Sequence, residues 1–176
     1  MKEAGEKLEQ GKPKQAGEKQ DQAGDRMKEM QQKLNKMQQG MQMKQATEDY
    51  ETLRNLLENL VKLSFDQEEL RDEMKDVQYN DPAVVGLIQE QKVIADDMGM
   101  IRDSLVALAK RVQQVKQFVL EELSDIDRSL DRTVRMLDES QIGPANAEQH
   151  RVMASLNRLA NMLVESLDKM QQQIDR

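Results

Sequence analysis

Residues 84–140 read VVGLIQEQKVIADDMGMIRDSLVALAKRVQQVKQFVLEELSDIDRSLDRTVRMLDES, and this stretch decides the fold. Apolar side chains recur at Ile94, Met98, Ile101, Leu105, Leu108, Val112, Val115, Val119, Leu123, Ile126, Leu130, Val134 and Leu137. The steps between them are three or four residues, which draws one stripe along one face of an α-helix. No proline falls between Pro82 and Pro144. The pattern therefore predicts a single helix over about 82–140, roughly 85 Å long if straight. A helix of that length cannot bury its stripe alone, so it needs partner helices. Up to Val119 the strict 4-3 alternation suits a left-handed coil around one neighbour. Beyond it the steps lengthen toward 3.67, which favours a straighter path.

The flanks of this stretch are well punctuated. Tyr79-Asn80-Asp81-Pro82 is a boundary, with Asp81 as N-cap and Pro82 at the first helical position. On the other side, Gln141-Ile142-Gly143-Pro144 reads as a turn. A last helix, about 144–175, carries Val152, Leu156, Leu159, Leu163, Leu167, Met170 and Ile174. Short turns make antiparallel neighbours.

Upstream, Ala16, Gln20, Ala23, Met27, Met30, Leu34, Met37 and Met41 recur at 4-3 steps, a heptad seam built mainly from Ala and Met. Near Gly40 the register slips by two residues, and a new seam runs through Met43, Ala46, Tyr50, Leu53, Leu57 and Leu60. Ser64-Phe65-Asp66-Gln67 has the form of a capping box, which favours a break between helices at about 14–63 and 65–77 over one helix passing through with Ser64 exposed. Gly11-Lys12-Pro13 sets off residues 1–13 as a frayed or truncated helical segment. The chain starts inside a helical pattern, as a piece cut from a longer protein would.

The expected fold is all-α: one elongated antiparallel helical bundle or coiled coil over 14–176, up-down-up around the central helix. In it, 144–176 lies along about 108–140, and roughly 15–52 packs on the other side. Unless 65–77 folds back as a third helix, the opposite half then has too few helices to cover Leu53, Leu56, Leu57, Leu60, Leu63, Ile88, Ile94 and Met98. Those residues are the candidate partner-binding face.

Composition supports helices and argues against chemistry. Charged residues make up 34% of the 176 and aromatic residues 2%, the profile of long amphipathic helices without an aromatic-walled ligand pocket. The net charge of −7 is uneven: residues 1–45 carry +3 and residues 46–140 carry −10. An acidic middle repels phosphate, and the basic N-terminal part lacks aromatics for base stacking, so no nucleic-acid partner is expected. With no Cys there is no disulfide or thiolate ligand. The single His150 follows Glu148 at the wrong spacing for a di-metal Glu-x-x-His pair. Phosphate-loop and nucleophile-elbow patterns are absent. The acidic clusters around Asp66–Asp76 and Glu121–Asp127 alternate with Arg71, Lys75 and Arg128 at helical spacings, which reads as surface ion pairing. Asn157 and Asn161 read as polar positions flanking the last seam. No catalytic, cofactor-binding or metal-binding residues are expected, and no apolar run is long enough to span a membrane.

Three phrases, Leu53-Arg-Asn-Leu-Leu-Glu-Asn-Leu-Val-Lys-Leu-Ser-Phe-Asp-Gln-Glu-Glu-Leu70, Asp103-Ser-Leu-Val-Ala-Leu-Ala-Lys-Arg111 and Ala154-Ser-Leu-Asn-Arg-Leu-Ala-Asn-Met-Leu163, carry a resemblance. They resemble the C-terminal helical part of large Bacteroidetes-type proteins grouped as a family of unknown function. Members have hydrophobic helices near the N-terminus followed by a long Gln/Glu/Lys-rich helical region. The resemblance implies a soluble piece of a membrane-anchored bacterial cell-envelope protein and supplies no catalytic residues. The functional expectation is a non-catalytic scaffold or protein-interaction domain that self-associates or binds other subunits by helix–helix packing. The alternative is a coiled-coil arm of a chromosome-organising or motor ATPase, which the full open reading frame would distinguish.

Overall fold

The structure is a computed structural model that describes the backbone of residues 2–176 and the side chains of residues 22–176 apart from Gln117. It is all-α, and its elements in chain order are α1 (Lys2–Lys75), α2 (Ala83–Ala109), α3 (Gln113–Asp138) and α4 (Ile142–Ile174). The chain divides into two compact units, Met1–Gln45 and Ala46–Arg176. The first unit is helix only. The second is an antiparallel four-helix bundle made from the C-terminal part of α1 with α2, α3 and α4.

Side-chain pairs fix the direction of each helix in the bundle. Gln67 on α1 meets Gln91 on α2, and Asp49 on α1 meets Arg111 just past the end of α2. Arg102 and Lys92 on α2 meet Asp127 and Asp138 on α3. Glu122 and Arg132 on α3 meet Arg158 and Glu148 on α4. Ser64 and Met74 on α1 meet Asn157 and Gln149 on α4. In every set, moving up one helix means moving down its partner, so the order is up-down-up-down with α1 and α4 also adjacent.

The single central helix expected over 82–140 is two helices. The chain reverses at Lys110-Arg111-Val112, where Val112 takes an extended conformation (φ −107°, ψ 101°). Its N–H, like that of Arg111, still bonds Leu108 O, which closes the last turn of α2. Neither Gly nor Pro marks this turn, and the apolar spacing continues through it. Leu108, Val112 and Val115 are all buried, so Val112 plugs the end of the core while the backbone turns. Arg111 donates from Nε and Nη2 to Asp49 Oδ1 at 3.1 and 3.0 Å, tying the turn to α1. Folding back covers apolar surface that a straight helix would leave in water, at roughly 25 cal/mol per Å². The pairing of the last helix with about 108–140 is as expected. Within the expected packing segment of roughly 15–52, Asp49 and Tyr50 lie against the bundle, and α1 continues that packing through Leu53, Leu56, Leu60, Leu63, Leu70 and Met74.

No break occurs at Ser64. The helix runs through it, and Ser64 Oγ donates to Asn157 Oδ1 at 2.9 Å. Gln67, read as the capping residue, is fully buried and bonded across the bundle instead. The Gly11-Lys12-Pro13 punctuation does not end α1 either. The expectation of fraying over residues 1–13, like the seam positions Ala16 and Gln20, concerns side chains outside the described residues.

The boundary at 76–82 is where the sequence puts it. Asp81 Oδ1 accepts the Ala83 N–H at 2.8 Å, the capping bond expected of Asp81. The turn into α4 lies earlier than read. Ser140 has φ 66°, its N–H bonds Leu137 O, and the Gln141 N–H bonds Met136 O. That pair of bonds is a Schellman motif with Ser at the left-handed position usually held by Gly. Gly143 and Pro144 fall in the first turn of α4, where the missing proline N–H has no helical partner to lose.

Candidate interaction surface

The residues expected as a partner-binding face are the core of the bundle. Leu53, Leu56, Leu60, Leu63, Ile94 and Met98 are buried, and Leu57 and Ile88 are partly buried against the same cluster. The reversal at Lys110–Val112 supplies the extra helix that the straight reading lacked. This face is therefore spent on intrachain packing and is withdrawn as a docking site.

Exposed apolar residues are scattered over the bundle, such as Phe65 and Leu120, but those at heptad steps lie along the first unit. Met27, Met30, Leu34, Met37 and Met41 are 72, 63, 54, 59 and 68% exposed. Leu60, the same kind of residue further along α1, is 0% exposed. The five keep the 3-4 steps of a heptad a/d stripe. The flanks are polar and basic: between residues 26 and 44 stand Arg26, Lys28, Lys33, Lys36 and Lys44 against Glu29 alone. The sequence shows the stripe plainly but gives no sign that it is left uncovered. The one hint is the register slip near Gly40, which falls next to the boundary between the two units at Gln45.

A complementary feature lies on the bundle between α1 and α2. Two adjoining depressions of about 410 and 360 Å³ share Asp66 and Asp97 and form one groove. Leu56, Leu63, Leu70, Ile94 and Ile101 lie beneath it as buried core residues, so they offer little surface of their own. Asp66, Glu69, Glu73, Glu90 and Asp97 line its rim, with Val93 and Met100 exposed between them. Lys62 is the one cation along this lining, held to Asp66 at 2.6 Å. The hydrogen bond to Asp66 raises the Lys62 ammonium above its ordinary value.

Inside the bundle, three fully buried glutamines replace a purely apolar layer. Gln67 Nε2 donates to Gln91 Oε1 at 3.0 Å and Gln91 Nε2 donates to Gln67 Oε1 at 2.8 Å. Gln149 Nε2 donates to the same Gln91 oxygen at 2.9 Å and to Met74 Sδ at 3.2 Å. The layer joins α1, α2 and α4. Because a buried amide is costly unless partnered, the observed register, which makes these four contacts, is favoured over shifted ones that break them. Sequence reasoning placed its polar attention on Asn157 and Asn161, which are exposed flanking positions as read. The spacing of Gln67, Gln91 and Gln149 on their apolar stripes is the signal that would have found this layer.

Among the described residues no group of three or more His, Cys, Asp or Glu could hold a metal ion, and His150 is exposed. Within the acidic clusters part of the charge is paired: Arg128 holds Asp125 at 2.6 Å, Lys62 holds Asp66 and Lys75 holds Asp72. Two carboxylates are more enclosed. Glu122 takes both oxygens to Arg158 Nη1 at 3.2 Å, and Glu148 meets Arg151 at 3.0 Å. Each faces an arginine. Among the described residues no helix is long and apolar enough to cross a membrane. Comparison with protein-family models, with curated proteins and with solved structures returns no match.

Proposed function

We propose that this chain is a non-catalytic helical interaction module, in which the bundle is a rigid base and the Met27–Met41 stripe is the docking surface. The single observation that carries the reading is the contrast along α1. The leucines of its bundle part are buried, whereas five stripe residues at heptad steps are more than half exposed. An uncovered a/d stripe is an incomplete helix–helix contact. Methionine suits such a surface because its unbranched, polarisable side chain adapts to the partner it meets. The resemblance to membrane-anchored envelope proteins supports a scaffold role at the bacterial cell envelope.

The test places a photo-crosslinking amino acid at Leu34, on the stripe, or at Gln32, on the opposite face, in the chain expressed in its native cell. Cross-linking to protein from Leu34 and not from Gln32 is expected. Equal or absent cross-linking at the two positions overturns the proposal.

A further inference from the structure

The occupant of the stripe is named by charge and length. Between residues 26 and 44 the first unit carries five basic residues against one acidic, so two such stripes brought together repel. The α1/α2 groove has the opposite character. Five carboxylates on its rim face one lysine, with the apolar Val93 and Met100 exposed between them. The lengths agree as well. Residues 26–44 span about 27 Å of helix, and the α1 side of the groove, from Leu56 to Glu73, spans about 26 Å. An amphipathic helix laid in a groove between two helices uses anchors at i, i+3, i+4 and i+7, the spacing the stripe carries.

We infer that the stripe of one copy docks into the acidic α1/α2 groove of a second copy of this chain. The inference rests on the proposal that the stripe is a docking surface and adds the identity of its partner. Met and Leu side chains of the stripe cover the exposed Val93 and Met100. Arg26 and Lys33, which border the stripe at heptad g positions, face the carboxylates of the rim. Each copy carries one stripe and one groove, so two copies satisfy both contacts reciprocally, or further copies add end to end. The contact is electrostatically steered and weakens as salt screens it.

The experiment is sedimentation velocity on the full chain across a wide concentration range, at low and high ionic strength. Wild type is expected to self-associate at low salt and less at high salt. The variants Arg26→Glu/Lys33→Glu and Glu69→Lys/Glu90→Lys change exposed positions only, and circular dichroism checks that both stay helical. Each is expected to associate about tenfold more weakly or worse, and an equimolar mixture of the two should associate again through reversed charges. A wild type that stays monomeric throughout overturns the inference. So does association that survives Glu69→Lys/Glu90→Lys, since that means stripe-to-stripe pairing. So does binding to phosphatidylserine-containing vesicles without self-association, which makes a membrane surface the occupant. If the wild type is monomeric while Leu34 still cross-links another protein in cells, the second-copy partner is wrong and the interaction-module proposal stands.

Discussion

Gln67 and Gln91 exchange two side-chain hydrogen bonds, 3.0 and 2.8 Å long, across the α1–α2 interface with neither residue accessible to solvent. Gln149 joins them from α4. The three amides form a polar layer in an otherwise aliphatic core, and they favour the observed alignment of three helices over slipped ones. Gln149 Oε1 is buried without a hydrogen-bond partner among the described residues, so the layer is incompletely satisfied.

Breaking this layer by halves costs more than removing it. Gln91→Ala strands the amides of Gln67 and Gln149 in the core and is expected to destabilise by about 2–4 kcal/mol. Replacing all three glutamines by Leu removes the stranded groups together and is expected to be within about 1 kcal/mol of wild type or stabilising. Urea unfolding of the single and triple variants decides. A triple variant less stable than Gln91→Ala contradicts this account of the layer.

Leu60 and Leu34 sit on the same helix and differ completely in burial. Leu60→Ala is expected to cost about 2–5 kcal/mol, as a core truncation does. Leu34→Ala should change the stability of dilute protein by less than about 0.5 kcal/mol. Comparable losses at the two sites in thermal or urea unfolding would mean that the stripe is covered within the chain.

Ser140 holds a left-handed conformation at a position where the Cβ is a liability. Ser140→Gly keeps both backbone bonds of the Schellman turn and relieves that strain. A gain of about 0.5–1 kcal/mol is expected. Loss of stability on this substitution would show that the serine side chain contributes something the turn geometry does not.

Asp72 and Lys75 pair near the end of α1, and the hydrogen bond from Lys75 holds the Asp72 carboxyl below its ordinary value of 3.8. A carboxyl depressed in the folded state adds stability above its unfolded value and loses it as pH falls through the folded one. Carboxyl-detected NMR titration should find the Asp72 midpoint below 3.8 and find it moved back up in Lys75→Gln. An Asp72 midpoint indifferent to Lys75→Gln would remove the pair from the account.

Much of the architecture is legible in the residues because helical periodicity is a local property. The stripe from Ile94 to Leu137, save that Thr133 rather than Val134 takes the buried position, the boundary at Asp81-Pro82 and the pairing of the last helix with 108–140 all follow from spacing and turn chemistry. The candidate partner face was misread for a specific reason. Counting helices on each side of an unbroken 82–140 leaves Leu53 to Leu63 uncovered, and one unmarked reversal removes that shortage. The stripe at Met27–Met41 was visible as a heptad, but exposure depends on what packs nearby, which no local pattern records.

By itself, then, the sequence determined that this protein is helical, which face of each helix is apolar, and where two of the three turns of the bundle lie. It did so through the 3.6-residue period and the capping chemistry of Asp81. The tertiary structure alone decided the rest. The chain turns at Lys110–Val112 because closing a four-helix core buries more apolar surface than extending one helix. Gln67 serves the core rather than a cap because Gln91 and Gln149 are there to meet it. Identical apolar spacings become core in one part of α1 and open surface in another, since burial is set by neighbours that come from far along the chain.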